Sequence, residues 1–183
     1  MTSLPPPTER LQFREYRDDD LDDVTAMFGD PQARRFYPEM DTPEACRGWI
    51  EWSKRNYRDH GFGLWVIEDL TTGEFLGDCG LTYQPVEGDR LLELGYHLLA
   101  EHRGKGLVTE AGRACLDYAF EELGATYVCS TVHPDNTASR AVASRLHEFE
   151  RTYLKEDGSV RLLFWTDSVV NATGGGEAPR SAT

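Results

Sequence analysis

The segment of the chain best suited to chemistry is Arg103-Gly104-Lys105-Gly106. It follows a strand-like run and precedes a helix-like one. Glycines there let the backbone curl closely around an anion. The start of a helix offers unpaired N–H groups and a partial positive charge, and Arg103 and Lys105 add full charges. No GxxxxGK[ST] is present, so the segment is not a P-loop, and it lacks the GxGxxG spacing of a dinucleotide site. Two readings of these residues stay open. One is a cradle for a phosphate group. The other is a plain glycine turn with two solvated cations.

The elements that must position this segment follow from periodicity. Leu11–Tyr16 alternates and predicts a first strand. Asp18–Asp20 precedes Leu21, Val24, Met27 and Phe28 at helical spacing, and acids at a helix start need no metal to explain them. Thr42-Pro43 reads as an N-cap followed by Pro at the first helical position, opening a helix over about 43–59. Its apolar face carries Cys46, Trp49, Ile50, Ser53 and Tyr57. Phe62–Glu68 and Phe75–Tyr83 form a hairpin around Thr71–Gly73. A turn at Gln84–Asp89 then leads to a strand at Leu91–Leu98. Leu116, Ala119, Phe120 and Leu123 give the next helix, which Gly124 caps. Thr126–Val132 is a buried strand, 137–147 a short helix, and Phe149–Leu154 with Val160–Thr166 a closing hairpin around Glu156–Gly158. The expected fold class is α/β (α+β): a mixed, mostly antiparallel sheet with helices on both faces.

The 183 residues suit one domain by the usual ~100–200 residues per domain. Residues 1–9 are Pro-rich and expected to be flexible, 10–167 form a single domain, and 168–183, ending in NATGGGEAPRSAT, form a disordered tail. The net charge of −13 disfavours nucleic acid and anionic membrane as main partners and suits an amine-bearing one, although acidic surfaces also simply keep proteins in solution. Cys46, Cys79, Cys115 and Cys129 make no CxxC pair and have no His at metal-ligand spacing. They read as core thiols of a reduced, cytoplasmic protein. The N-terminus has neither a basic nor an apolar signal region, and no apolar run approaches the ~18 residues of a membrane span. The sequon at Asn171 is therefore inert.

Context then narrows the phosphate reading. Leu92-Glu93-Leu94-Gly95-Tyr96-His97-Leu98, Arg103-Gly-Lys-Gly106 and Thr109-Glu110-Ala111 together resemble the acetyl-CoA motif of the GNAT superfamily of N-acetyltransferases. Within it the ribosomal-protein N-terminal branch (RimJ/RimL-like) is the most similar. His133-Pro-Asp-Asn136-Thr-Ala-Ser139 resembles that branch's N-x-x-S element. Phe62-Gly-Leu-Trp65 and Gly77-Asp-Cys-Gly80-Leu81 resemble its hairpin. The ordered set spans about residues 10–167.

The resemblance implies a sheet of about seven strands, splayed at its centre between Leu91–Leu98 and Thr126–Val132, with the pantetheine arm of acetyl-CoA in the gap. Backbone groups near Leu98 and Leu99 hold that arm. The N–H groups of Gly104, Lys105, Gly106, Leu107, Val108 and Thr109 take the pyrophosphate, beside the charge of Arg103. A backbone N–H near His97–Leu98 polarises the thioester carbonyl. Asn136 bonds the pantetheine and Ser139 lies near the sulfur. Three departures stand out. Val108 replaces a small residue; Arg145-Leu146-His147-Glu148-Phe149 lacks the helix-ending glycine of K-L-G-F; and Ala143 occupies the place of a tyrosine acid, which leaves Ser139 as the substitute.

Acetyl transfer to an amine requires the amine to lose a proton. Glu93 and Asp78 are the carboxylate candidates for that role, Glu93 ranking first, each with a solvated or salt-bridged strand position as the alternative. His97 is a third candidate, with packing beneath the cofactor as its alternative. Phe36, Tyr37 and Pro38 lie where the family builds its acceptor wall; Trp52 has two open readings, a further part of that wall or a half-exposed aromatic without a role. No metal is assigned. The resulting reading is an enzyme, an acetyl-CoA-dependent N-acetyltransferase acting in a ternary complex on a protein N-terminus or small amine. The alternative is a non-catalytic acyl-CoA-binding sensor of the same fold. A larger donor such as succinyl-CoA stays open. A homodimer is the expected assembly, since closed dimers are the commonest oligomers.

Overall fold

The computed structural model describes residues 4–168. Seven strands follow one another in the hydrogen-bonded order β1-β2-β3-β4-β5-β7-β6. They are β1 (Leu11–Arg14), β2 (Leu64–Asp69), β3 (Phe75–Val86), β4 (Asp89–Leu98), β5 (Tyr127–Val132), β6 (Phe149–Leu154) and β7 (Val160–Asp167). The helices are α1 (Leu21–Gly29), α2 (Pro31–Phe36), α3 (Pro43–His60), α4 (Leu107–Glu121) and α5 (Thr137–Leu146). The described residues divide into two compact units, one of residues 4–82 and 95–115, the other of 83–94 and 116–168.

In the first unit β1 and β3 flank β2, both antiparallel to it, with Val66 opposite Asp78 and Ile67 opposite Gly77. Leu11, Val24, Met27, Phe28, Ile50, Trp65 and Ile67 are fully buried. Each such side chain contributes about 1.5–3 kcal/mol by leaving water. The helix α3 keeps its expected start and stop. Thr42 Oγ1 accepts from the Ala45 amide at 3.2 Å, Pro43 opens the first turn, and Gly61 closes the helix at φ +79. Its inner face buries Cys46, Ile50, Ser53 and Tyr57. In the acidic run before α1, Asp18 pairs with Lys54, and Asp20 is buried with the Arg14 guanidinium forked onto it at 2.7 and 2.8 Å.

In the second unit β7 pairs antiparallel with both β5 and β6, and β4 runs parallel to β5 with Glu93 opposite Cys129. Val86, Cys129, Tyr153, Leu163 and Trp165 form one core cluster, with the Phe149 ring stacked on Trp165 at 5.3 Å.

Several expectations change. The turn placed at Gln84–Asp89 shrinks to two residues, Glu87 (φ 51) and Gly88 (φ 90). Two positive φ values in a row give the tight hairpin turn that matches strand twist, so both strands lengthen into it. The short helix α2 was not anticipated. It has no apolar period, and Asp30 holds it by accepting from the Gln32 amide at 2.9 Å, ahead of Pro31 at its first position. Phe36 therefore ends a helix instead of lying in a connection. Near the N-terminus, Thr8 donates to Glu110 at 2.6 Å and its own amide to the Leu11 carbonyl at 2.9 Å, which anchors the end of the segment expected to be flexible. Of the expected tail, Ser168 donates its amide to the Thr126 carbonyl at 3.0 Å, and 169–183 lie outside the described residues.

Candidate active site

Asp78 is fully buried in the otherwise apolar centre of β3. A carboxylate taken out of water must be given donors, or it costs several kcal/mol. Three converge on it. The Tyr16 hydroxyl donates to Oδ2 at 2.7 Å, the Trp49 indole N–H donates to Oδ2 at 3.1 Å, and His97 Nδ1 lies 2.7 Å from Oδ1. Burial and the adjacent Asp78 charge push the Tyr16 hydroxyl well above its ordinary pKa, so it stays a donor.

The chain brings these groups together from four elements. Tyr16 follows β1, Trp49 comes from α3, Asp78 from β3 and His97 from β4. A β-carbon on Gly77 would sit 2.1 Å from the His97 carbonyl oxygen, so only glycine allows β3 so close to β4. The Leu99 amide donates to Leu76 O at 3.0 Å beside that point. Around the imidazole stand Tyr37 at 4.9 Å, Phe28 at 5.2 Å and Trp49 at 5.3 Å between ring centroids. The Trp52 ring lies 5.2 Å from Trp49. The His97 side chain keeps 11% of its surface exposed, and among the described residues its Nε2 has no hydrogen-bond partner.

The glycine segment leads into α4 in the same unit. Gly104 (φ +75) and Gly106 (φ +77) are left-handed, which L side chains rarely adopt. The Gly106 carbonyl takes the Glu110 amide at 3.1 Å. The amides of the preceding helical residues, Leu107, Val108 and Thr109, then have no partner within α4. Leu107 and Val108 are buried, and Lys105 is exposed. Arg103 is engaged elsewhere: it forks onto Asp30 at 2.6 and 3.0 Å and donates to the Leu98 carbonyl at 3.1 Å. That guanidinium holds the Asp30 carboxyl below its ordinary pKa. Arg10 donates to the Lys105 carbonyl at 3.1 Å and to Glu110 Oε2 at 2.7 Å. Burial pushes the Glu110 carboxyl up, and the bonds from Thr8 and Arg10 more than reverse it.

The second unit holds the other candidates. Glu93 accepts from the Thr131 amide at 2.9 Å and from the Thr131 hydroxyl. Asn136 caps α5, its side chain accepting from the Ser139 amide at 3.1 Å. The missing glycine after Leu146 has a simple cause. His147 leaves α5 in extended backbone (φ −115, ψ 156), where no glycine is needed.

The structure thus joins Asp78, His97 and Tyr37 directly, and Trp52 through Trp49. Glu93 belongs to the other unit, and the Arg35 guanidinium lies 5.4 Å over the Phe36 ring. Sequence reasoning missed Tyr16, Phe28 and Trp49 as site residues. The available signal was a lone acid inside the apolar run Leu76–Leu81, which demands donors from somewhere. Among the described residues no group of three or more His, Cys, Asp or Glu side chains is arranged to hold a metal, and no helix is long and apolar enough to cross a membrane.

Residues 10–147 match the model of the acetyltransferase (GNAT) domain family. The uncharacterized protein YkkB of Bacillus subtilis (strain 168) is 36% identical over 140 residues, which cover 76% of this chain and 81% of YkkB. The crystal structure of an acetyltransferase from Agrobacterium tumefaciens C58 superposes with a TM-score of 0.76 at 27% identity, covering 91% of this chain and 96% of the other. RimL, the ribosomal L7/L12 alpha-N-protein acetyltransferase solved in complex with coenzyme A, shares the fold at a TM-score of 0.70 and 16% identity, over 90% of this chain and 98% of its own. With a buried carboxylate–imidazole pair and a glycine turn opening a long helix already in place, these likenesses show that the chain belongs to the GNAT acetyltransferases and is an acyltransferase enzyme.

Proposed function

We propose that the protein moves an acetyl group from acetyl-CoA to a primary amine, a protein N-terminus or a small amine, by direct attack within a ternary complex. The observation that carries this reading is the turn into α4. Two left-handed glycines lead into the amides of Leu107, Val108 and Thr109, which have no partner within α4, at the positive end of a 15-residue helix, and the exposed Lys105 stands between the two glycines in the chain. Backbone donors at a helix start suit a diphosphate. Arg103 serves this turn indirectly, by fixing the Leu98 carbonyl to Asp30. The same reading gives the Leu98 and Leu99 backbone, Asn136 and Ser139 to the pantetheine arm. The coenzyme A held by RimL, a fold relative, supports the choice of donor.

Tyr37 and Trp52 are assigned to the acceptor wall, and the net charge of −13 favours a cationic amine in the approaching solution. The residues that carry the family resemblance favour the RimJ/RimL branch, and with it a protein N-terminus as acceptor; the cysteine usage favours a cytoplasmic protein, and the prevalence of closed dimers favours a homodimer. No metal takes part in this scheme.

The test is thiol release from acetyl-CoA in the presence of a panel of N-terminal peptides, polyamines and aminoglycosides, with succinyl-CoA run in parallel. Acceptor-dependent release with a mass gain of one acetyl group is expected. Coenzyme A binding by calorimetry without release across the whole panel would sink the reading in favour of a binding module.

A further inference from the structure

We infer that His97 is the general base of the reaction, with Asp78 as the positioning residue that fixes its tautomer. This rests on the transferase reading above and adds to it the identity of the proton acceptor.

The argument starts from the donors on Asp78. The Trp49 indole N–H can only donate, and it reaches Oδ2 at 3.1 Å alongside the Tyr16 hydroxyl at 2.7 Å. Oδ2 is therefore an acceptor twice over. The remaining oxygen, Oδ1, faces His97 Nδ1 at 2.7 Å. An ionised carboxylate has no proton to give, so Nδ1 carries the hydrogen and donates it. A neutral imidazole with hydrogen on Nδ1 has its lone pair on Nε2. That nitrogen has no hydrogen-bond partner among the described residues, and the side chain retains some exposure. The rings of Phe28, Tyr37 and Trp49 pack around the imidazole at 4.9–5.3 Å between centroids. A carboxylate buried behind an imidazole whose far nitrogen is left without a hydrogen-bond partner among the described residues is the arrangement that makes a base of histidine.

The step balances as follows. A neutral amine attacks the acetyl carbonyl carbon with its lone pair and forms the C–N bond. His97 Nε2 takes one proton from the amine nitrogen. The C–S bond breaks with its electron pair on sulfur, and the thiolate takes a proton from solvent. The imidazolium, stabilised by Asp78, then returns its proton to solvent.

Asp78→Asn gives a result peculiar to this geometry. Trp49 still requires an oxygen in front of it, so the amide nitrogen of the new side chain faces His97 Nδ1. That nitrogen must then accept, hydrogen moves to Nε2, and the base is lost. The experiment has two parts. Long-range 15N–1H NMR of the whole protein reads the His97 tautomer: hydrogen on Nδ1 in the wild type and on Nε2 in Asp78→Asn. Steady-state kinetics with the best acceptor reads the step: His97→Gln and Asp78→Asn lower kcat by about 100-fold or more, the usual scale of a general base, with the KM for acetyl-CoA within about threefold of wild type. Should Asp78→Asn fail to fold, the wild-type tautomer and His97→Gln decide alone. A wild-type tautomer with hydrogen on Nε2 overturns the inference. So does a His97→Gln enzyme that keeps more than about a third of kcat; in both cases the transferase reading stands. A wild type that acetylates nothing overturns both.

Discussion

Glu93 on β4 and Thr131 on β5 are joined through a side chain: the carboxylate accepts from the Thr131 amide at 2.9 Å and from its hydroxyl. One residue further along β4, the Leu94 carbonyl accepts from the Ser130 hydroxyl at 2.8 Å. Side chains thus add to the backbone pairing of the two strands, which is registered at Glu93 opposite Cys129. The Glu93 charge also helps push the Cys129 thiol up, after burial, as a fixed carboxylate would. Such a carboxylate is better placed to hold two strands than to carry protons.

Glu93→Gln keeps an oxygen for the Thr131 amide and loses the charge. The expected result is a stability loss of about 1 kcal/mol by urea unfolding, the worth of weakening one such bond, with kcat within about threefold of wild type. A hundredfold fall in kcat at unchanged stability would transfer the base role from His97 to Glu93.

Gly104 and Gly106 separate conformation from space. A β-carbon meets nothing within 4 Å at Gly104, and at Gly106 only the Arg10 guanidinium at 3.8 Å. Alanine at either position therefore fits but disfavours the left-handed backbone, by about 1 kcal/mol. The amides of the turn lose their alignment, and the expected Kd for coenzyme A rises about tenfold in calorimetry while Tm falls by only about 2–4 °C. Unchanged affinity in both variants would remove the turn from the phosphate site.

Gly77 behaves in the opposite way. A β-carbon there would meet backbone, 2.1 Å from His97 O and 2.9 Å from Leu98 Cα, and backbone cannot swing aside. Gly77→Ala is expected to cost about 2–3 kcal/mol, as overpacked positions do, and to shift His97 off Asp78. Chemical denaturation together with kcat checks this. A variant as stable and active as wild type would mean that β3 and β4 are less closely apposed than the structure has them.

These positions also show what a sequence can disclose. Thr42-Pro43, Gly104 and Gly106 act through local backbone rules, and each was legible where it stands. Asp78 and His97 were legible as candidates, because an acid and an imidazole stand out in strands. Their pairing was not, because it depends on strands β3 and β4 in one register and on donors 29 and 62 residues away, Trp49 and Tyr16. Arg103 shows the converse: its type and place suggest a phosphate clamp, and its pairing with Asp30, 73 residues earlier, was not legible. The helix that Asp30 caps has too little apolar period to be read in advance. The hairpin at Glu87-Gly88 was blurred because glutamate is an unusual residue for a left-handed position.

His147 gives a pH prediction whose sign follows from its hydrogen bonds. Ser130 gives its one hydroxyl hydrogen to Leu94 O, so it must accept from His147 Nε2 at 3.0 Å, and His147 Nδ1 then accepts from the Thr166 hydroxyl at 3.3 Å. Both ring nitrogens are used by the neutral form, and a second ring proton would meet a donor. Burial lowers the pKa of His147 from 6.5 to about 4. Between those values the unfolded chain binds a proton at His147 that the folded protein refuses. Folding is therefore favoured above pH 6.5, and stability falls as pH drops toward 4, by up to about 1.4 kcal/mol per pH unit and about 3 kcal/mol in all. His147→Gln keeps an amide N–H for Ser130 and has nothing to titrate, so it should remove this component while other groups keep theirs. Urea unfolding at pH 7 and pH 5 measures it: wild type should lose about 2 kcal/mol more than His147→Gln over that interval. Equal losses in the two proteins would mean that His147 takes its proton in the folded state, and that the Thr166–His147–Ser130–Leu94 chain does not hold the imidazole neutral.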